Sequence, residues 1–230
     1  NRRLSSMNGI TPNDMMKLQN DNYNVFAETA RPFLLKYLND SSLNETERKY
    51  LEIVSNWSLY NNINERGATL FKLWFDNLQN LVWDDEFKKA GVEGLRPGVK
   101  TLTEALLRDS AFPYIDNIET PVRETIGDVV TEAYQLATKA ADSLSTMNQL
   151  TWGANKNTSI YHLLGATMMP FSRTGLPVGG GAHIINAMQH THGPSWRMVV
   201  ELTDETNAYV VYPGGQSGNP GSPYYDSFVD

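Results

Sequence analysis

The chain reads Gly193-Pro194-Ser195-Trp196-Arg197-Met198-Val199-Val200-Glu201-Leu202 near its C-terminus, and the apolar run in this segment predicts a strand over Trp196–Leu202. The turn-forming residues Asp204-Glu205-Thr206-Asn207 follow, and a second apolar run covers Ala208–Tyr212. Two such runs separated by a turn predict an antiparallel hairpin. A third short strand is predicted at His183–Met188.

The first strand of this hairpin has two different faces, because side chains alternate across a strand. One face is wholly apolar and carries Trp196, Met198, Val200 and Leu202. The other face is mixed and carries Arg197, Val199 and Glu201.

The residues before the hairpin predict helices, because apolar residues recur at helical spacing through the first three-fifths of the chain. Thr11-Pro12-Asn13-Asp14 is a typical helix start, with a hydroxyl cap, a proline at the first helical position and an acid three residues after the cap. Charges, two glycines and Pro97 predict a loop or hinge over Asp84–Gly98. The expected helices run from about Pro12 toward Leu38, from Leu43 or Asn44 through Trp57, roughly over Glu65–Val82, over Thr101–Asp109, and from Thr120-Pro121 through Leu144.

These elements predict an α+β chain that is helix-rich in its first two thirds and β in its last quarter. After about Gln149, glycines and prolines become frequent and the helical periodicity ends. We therefore expect a helical region at residues 1–148 and a β-rich region at residues 149–230, joined as one continuous structural unit.

Composition argues against several classes of partner. The net charge is −7, and the 19 basic residues are scattered, so the chain lacks the basic surface that nucleic-acid binding needs. No apolar run approaches the length needed to cross a bilayer, so we expect no membrane partner. The chain has no cysteine, which excludes disulfides, thiolate metal sites and a cysteine nucleophile.

Three histidines, His183, His190 and His192, lie within ten residues of one another. A metal site normally needs a third protein ligand and supporting carboxylates, and none is evident nearby. We therefore predict no metal site and expect these histidines to form hydrogen bonds with the backbone of loops.

Three serines, Ser195, Ser217 and Ser222, are candidate nucleophiles, but none occupies the Gly-X-Ser-X-Gly pattern of a nucleophile elbow. The glycine-rich stretch Gly214-Gly215-Gln216-Ser217-Gly218 lacks the Lys-Ser/Thr ending of a phosphate-binding loop. A tight turn with glycine at positive φ accounts for the same residues.

Two further segments follow the stretch from Gly193 to Leu202: Tyr212-Pro213-Gly214-Gly215-Gln216-Ser217-Gly218-Asn219-Pro220 and Ser222-Pro223-Tyr224-Tyr225-Asp226. The three segments together resemble the C-terminal signature of the penicillin amidase (penicillin acylase) family of N-terminal-nucleophile hydrolases. Weaker similarities occur in the family's order at Gly67–Phe71, Trp152-Gly153 and Gly179-Gly180-Gly181. Two departures, Ala154-Asn155-Lys156 and the missing aspartate at Gly181, concern the subfamily and the substrate rather than the fold.

The resemblance implies a hydrolase that converts a carboxylic amide, such as a penicillin side-chain amide, into an acid and an amine. It also implies the C-terminal part of an α-β-β-α core. The family's serine nucleophile, oxyanion donors and orienting arginine precede the point at which this chain starts, so we expect no catalytic residue here and no activity of the chain alone. Site-shaping residues implied by the motif are Trp196, Arg197, Gly214, Gly215, Gln216, Ser217 and Gly218.

Partners implied by the resemblance are an α-chain and the N-terminal part of the β-chain, in a periplasmic or secreted zymogen. Without them, part of the apolar hairpin face should be uncovered or paired with a second copy. We expect no cofactor in this chain. Calcium, which some members carry, should bind outside it, and Asp84-Asp85-Glu86 is interpreted as a solvated charge run. Alternatives are an acyl-homoserine-lactone or cephalosporin acylase, or a non-catalytic module that binds a small ligand.

Overall fold

A computed structural model describes residues 1–91, 94 and 96–229 and divides the chain into two compact units. The helical unit comprises Asn24–Tyr60 and Asn64–Asn155. The mixed unit comprises Asn1–Tyr23, Asn61–Ile63 and Lys156–Asp230. The predicted α+β class is confirmed, while the division at residues 148 and 149 stays a prediction.

The helical unit contains six α-helices: α3 Val25–Tyr37, α4 Glu45–Asn56, α5 Gly67–Ala90, α6 Val99–Arg108, α7 Ile126–Thr146 and α8 Trp152–Lys156, whose last residue belongs to the mixed unit. The longest of them, α5 and α7, pack against each other, and α3 and α4 pack beside them.

The core of the helical unit is aromatic. Trp74 of α5 is fully buried, its ring centroid lies 4.7 Å from that of Tyr134 on α7, and its indole N–H donates to the Val130 carbonyl at 2.9 Å. Burial of such rings supplies large apolar area, and the indole hydrogen bond removes the cost of burying its polar atom. The first residue of α5 is Gly67, which lies against Trp57. A Cβ at this position would overlap the Trp57 side chain, so glycine is required there.

The mixed unit contains two short helices, α1 at Arg2–Ser5 and α2 at Pro12–Gln19, and two separate antiparallel pairs of strands. Strand β1 at Thr158–Ile160 pairs with β2 at Arg173–Leu176. The predicted hairpin is confirmed: β3 is Arg197–Glu201, β4 is Asn207–Val211, and the register pairs Arg197 with Val211 and Glu201 with Asn207.

The apolar face of β3 is solvent-exposed, and the mixed face contributes the buried residue. Val199 is 9% exposed, whereas Met198 is 42% and Val200 is 38% exposed. All five residues of β4 are exposed as well. The hairpin therefore carries an uncovered apolar surface.

Two helix predictions are corrected by the structure. The helix expected from Pro12 toward Leu38 is interrupted, because Asn24 caps a new helix by accepting a hydrogen bond from the Ala27 amide at 2.8 Å. The last long helix begins at Ile126 rather than at Thr120-Pro121, since Thr125 and Asp128 form the capping box.

Residues Asp84–Ala90, predicted as a loop, continue α5 instead, and the helix ends at Gly91 in the left-handed conformation with φ +61°. Val92, Glu93 and Leu95, which also fall in the predicted loop, lie outside the described residues.

The strand predicted at His183–Met188 is wrong, because the backbone there forms turns, and His183 has φ +61°. Strands β1 and β2 were not predicted, since their short sequences lack a clear apolar alternation. None of the helices in the described residues has the length and apolar character to cross a membrane.

Candidate functional site

A cavity of about 400 Å³ lies within the mixed unit. Its wall is mostly apolar, with side chains from α2, from both strand pairs and from the segment that follows β4. Arg197 is the charged side chain among the described lining residues. The apolar wall includes Ile160, Leu176, Val178, Val211 and Phe228.

The guanidinium of Arg197 is held by two neutral amides. One terminal nitrogen donates to the side-chain oxygen of Asn20, at the end of α2, and the other donates to the Asn186 Oδ1 at 2.6 Å. None of the ion pairs formed by the described residues includes Arg197. Burial lowers the pKa of this guanidinium from its ordinary value. Among the residues that the structure describes, this partly desolvated cation therefore has no carboxylate partner.

Hydrogen bonds of its side chain and its backbone fix the orientation of Asn186. It is 7% exposed, its Nδ2 donates to Asn22 Oδ1 at 2.8 Å, and its backbone amide donates to the Asp21 carbonyl at 3.0 Å. Asn22 in turn donates to Asn62 Oδ1 at 3.0 Å. Because the amide nitrogen of Asn186 is engaged by Asn22, its oxygen faces Arg197.

The segment Gly179-Gly180-Gly181 packs tightly against these asparagines. A Cβ on Gly179 would lie 2.8 Å from the Asn61 carbonyl oxygen. Gly180 has φ +84°, and a Cβ there would overlap the Asn186 backbone and lie 2.8 Å from its Cγ. Only glycine allows this approach at positive φ, so the glycines quoted for the family resemblance position the amide that holds Arg197.

Lys156, the last residue of α8, fixes the same segment. Its ammonium group donates to the Gly179 carbonyl at 2.5 Å and to the Met188 carbonyl at 2.9 Å, and the residue is 9% exposed. Burial lowers its pKa to about 8. Sequence reasoning noted Lys156 only as a departure from the family pattern, and no local pattern distinguishes a buried lysine from a solvated one.

Trp196 immediately precedes β3, and Arg197 is the first residue of that strand. Trp196 is 59% exposed, whereas Arg197 lines the cavity. The loop after β4 forms a turn in which Gly214 has φ +89° and the Ser217 amide donates to the Tyr224 carbonyl at 3.1 Å. A Cβ on Gly215 would lie 2.5 Å from the Tyr225 carbonyl oxygen. A role for these residues, including Gln216 and Gly218, in shaping a site stays a prediction.

Two of the three candidate nucleophiles accept local hydrogen bonds from the backbone. Ser217 Oγ accepts from the Asn219 amide at 3.1 Å, Ser222 Oγ accepts from the Tyr224 amide at 3.2 Å, and Ser195 is exposed. A serine–histidine hydrogen bond that would activate one of these hydroxyls is not found among the described residues.

Of the three histidines, His190 contacts the Asn157 carbonyl through Nδ1 at 2.6 Å, and His192 contacts the Thr191 hydroxyl at 3.0 Å. His183 lies in the turn described above. Within the part of the chain that the structure describes, no group of three or more histidine, aspartate or glutamate side chains could hold a metal ion.

The acidic run Asp84-Asp85-Glu86 belongs to the helical unit, and its interpretation as a solvated charge run is wrong for Asp85. Asp85 is 7% exposed and accepts a hydrogen bond from the Ile118 amide at 2.8 Å, because α5 continues through this run and turns one carboxylate inward. Burial, and then Asp85, raise the pKa of Glu86 to about 7. Asp84 forms an ion pair with Arg96.

Two comparisons bear on the identity of the chain. The family model described as penicillin amidase matches residues 1–230. The chain is also similar to the acyl-homoserine lactone acylase QuiP of Pseudomonas syringae pv. syringae (strain B728a), at 26% identity over 71% of this chain and 22% of that protein. The chain thus spans about a fifth of the length of this curated relative. The match over every residue confirms the resemblance stated from the sequence, and the chain belongs to the penicillin amidase family.

Proposed function

We propose that the chain is part of an acylase that hydrolyses a carboxylic amide to an acid and an amine. The observation that carries this proposal is the family match over residues 1–230. In such a reaction a nucleophilic hydroxyl adds to the amide carbonyl, the C–N bond breaks, and the amine leaves with a proton. Water then hydrolyses the resulting ester, which releases the acid and restores the hydroxyl.

In this proposal the attacking hydroxyl, its proton acceptor and the oxyanion donors come from residues outside these 230. Two observations support it. The similar acylase is several times longer than this chain, and the hydroxyls of Ser217 and Ser222 accept hydrogen bonds from backbone amides two residues on. Acyl transfer needs all three groups together, since the loss of a single oxyanion donor costs about 100-fold or more in rate.

The name of the similar protein favours an acyl-homoserine lactone as a second candidate substrate beside a penicillin-type amide. Both substrates contain an acyl group joined to nitrogen, so the same bond is cleaved. The two candidates differ in the acyl and amine parts, which a panel of substrates separates.

The test compares the 230-residue chain with the protein produced from the complete gene. Each is assayed with a chromogenic phenylacetyl amide, penicillin G and an acyl-homoserine lactone. We expect the complete protein to cleave at least one of them and the 230-residue chain to cleave none. Turnover by the 230-residue chain that disappears in Ser217→Ala or His192→Ala would contradict the proposal, because it would reveal an independent active site.

The remainder of the acylase is also the proposed partner of the exposed hairpin. Met198 and Val200 of β3 share one face with Val210 of β4, which pairs with Met198, and the three are between 38% and 46% exposed. Covering such a surface with another part of the protein removes apolar area from water. We also propose a periplasmic or secreted location for the complete protein, which cell fractionation tests.

A further inference from the structure

We propose that the cavity of the mixed unit binds a small monocarboxylate, with its carboxylate on Arg197 and its apolar tail against the surrounding wall. This inference goes beyond amide hydrolysis and does not depend on it. It concerns equilibrium binding by residues that lie entirely within one compact unit.

The charge of Arg197 is the first support. A guanidinium has five N–H donors in a planar fork, and two of its nitrogens here donate to the neutral side chains of Asn20 and Asn186. A partly buried cation with only neutral partners retains an unfavourable desolvation that an anion relieves. A carboxylate is the anion whose two oxygens match the guanidinium fork.

The fixed position of Arg197 is the second support. Asn186 is held by Asn22 and by the close approach of Gly180, and Asn186 in turn holds the Arg197 guanidinium. The guanidinium is therefore already in position before a ligand binds. Gln19 adds to this arrangement, because its Nε2 donates to the Met198 carbonyl at 3.0 Å and ties α2 to β3. Pre-organisation of this kind lowers the entropic cost of binding.

The wall of the cavity is the third support, and it determines the class of ligand. Side chains such as Ile160, Leu176, Val211 and Phe228 offer apolar contact, and the volume of about 400 Å³ lies in the range of small-molecule sites. Among the described lining residues Arg197 alone carries charge. A single cation in an apolar cavity favours one negative charge joined to an apolar tail over a phosphate or a dicarboxylate.

The experiment titrates the full 230-residue chain with hexanoate, its neutral isostere hexanamide and hexylammonium by isothermal calorimetry. A charge-assisted hydrogen-bonded pair contributes about 1.5–3 kcal/mol, so we expect hexanoate to bind about 10- to 100-fold more tightly than hexanamide. Hexylammonium should bind most weakly. Equal binding of hexanoate and hexanamide, or no binding of hexanoate, would overturn the inference.

Variants locate the charge that is responsible. Arg197→Met should remove most of the preference for hexanoate over hexanamide, and Arg197→Lys should retain part of it because the point charge remains. The matched control is Arg108→Met, on the exposed surface of α6, which changes the net charge equally and should leave binding unaltered. An unchanged preference in a folded Arg197→Met variant would place the carboxylate elsewhere.

A second variant keeps the inference testable if Arg197→Met fails to fold. Asn20→Asp retains the shape of the side chain and supplies Arg197 with a carboxylate from the protein itself. We expect this variant to keep its far-UV circular dichroism spectrum and to lose hexanoate binding by about tenfold or more. Undiminished hexanoate binding by Asn20→Asp would contradict the proposal.

Discussion

In the helical unit, large side chains such as Trp74, Leu34 and Tyr134 are almost completely removed from solvent. In the mixed unit, the apolar side chains that are buried among the described residues are Ile184 and Val199. Its buried polar side chains are more numerous: Asn61, Lys156, Thr158, Ser159 and Asn186. One unit is therefore held mainly by apolar burial, and the other mainly by side chains that donate to, and accept from, its irregular backbone.

The difference has a physical consequence for stability. Apolar burial is non-directional, so its stabilisation persists when side chains shift slightly. A buried hydrogen-bond network loses stabilisation when one member moves, because polar groups are then left unpaired. Lys156 and Asn186 each satisfy groups on segments far apart in sequence. We therefore expect the stability of the helical unit to depend on the volume of its buried side chains, and that of the mixed unit to depend on the geometry of its hydrogen-bonded segments.

The largest expected effect is that of Trp74→Ala compared with Trp196→Ala. Trp74 is fully buried and donates to Val130, so its truncation should lower the free energy of unfolding by about 3–5 kcal/mol. Trp196 is 59% exposed, and its truncation should change that free energy by no more than about 0.5 kcal/mol. Urea unfolding followed by circular dichroism measures both. Similar losses would mean that the two units do not differ as described.

Gly180→Ala tests the mixed unit directly. The substitution places a Cβ against Asn186 at a φ of +84°, so we expect a loss of about 2 kcal/mol or more. Hydrogen exchange should rise around residues 179–187 while the amides of α5 keep their protection. Gly218→Ala is the matched control, because a Cβ there meets nothing within 4 Å. Equal effects of the two substitutions would argue against a tightly packed glycine segment.

Glu86→Gln tests the titration of a partly buried carboxyl group in the helical unit. Burial, and then the hydrogen bond and charge of Asp85, raise the pKa of Glu86 from 4.5 to about 7, while Lys89 opposes the rise. A raised carboxyl pKa means that the folded state holds the proton more tightly. The stabilisation is therefore fully present below about pH 4.5 and is lost as the pH rises through about 7.

Glutamine is permanently neutral and can donate to Asp85, so Glu86→Gln should remove this pH dependence. It should also stabilise the chain at pH 8 by about 1–2 kcal/mol. Chemical unfolding of both proteins between pH 4 and pH 8 provides the measurement. Parallel stability curves for the two proteins would show that Glu86 does not titrate in this window.

The smallest expected effect compares the same capping motif in the two units. Thr125→Ala removes the capping box of α7, which buries nine residues, and should lower global stability by about 1 kcal/mol. Thr11→Ala removes the equivalent box of α2, which buries none among its residues. Its expected effect is faster hydrogen exchange confined to α2, with little change in the unfolding midpoint. A global loss in Thr11→Ala as large as that in Thr125→Ala would contradict this comparison.

Patterns that depend on neighbouring residues were predictable from the sequence. The cap at Thr11, the start of α4 near Asn44 and the β3–β4 hairpin are confirmed, because local hydrogen bonds and side-chain alternation determine them. The sequence also contains the capping box of α7, formed by Thr125 and Asp128. Thr120-Pro121 is a second pattern typical of a helix start, and the prediction used that one. In the structure the Thr120 hydroxyl bonds to Glu124 at 2.7 Å within the preceding loop.

The error at His183–Met188 has a different cause. The segment contains apolar residues, which favoured a strand. In the structure Ile184 is buried, and Asn186 forms hydrogen bonds to the side chains of Asn22 and Arg197. Such contacts join residues 11 to 164 positions apart, so local pattern gives no sign of them. Strands β1 and β2 are missed for a similar reason, because their pairing depends on chain segments brought together by the fold.

The sequence by itself determined the α+β class, most helix positions, the hairpin and the family, because these depend on local periodicity, turn chemistry and short motifs. Only the tertiary structure decided that Arg197 lines a cavity in which no other described lining residue is charged, and that Lys156 and Asn186 hold the segment Gly179-Gly180-Gly181. Burial and hydrogen-bond partners are properties of a residue's surroundings in space. Residues distant in the chain supply those surroundings, so identical local sequence can be buried or exposed.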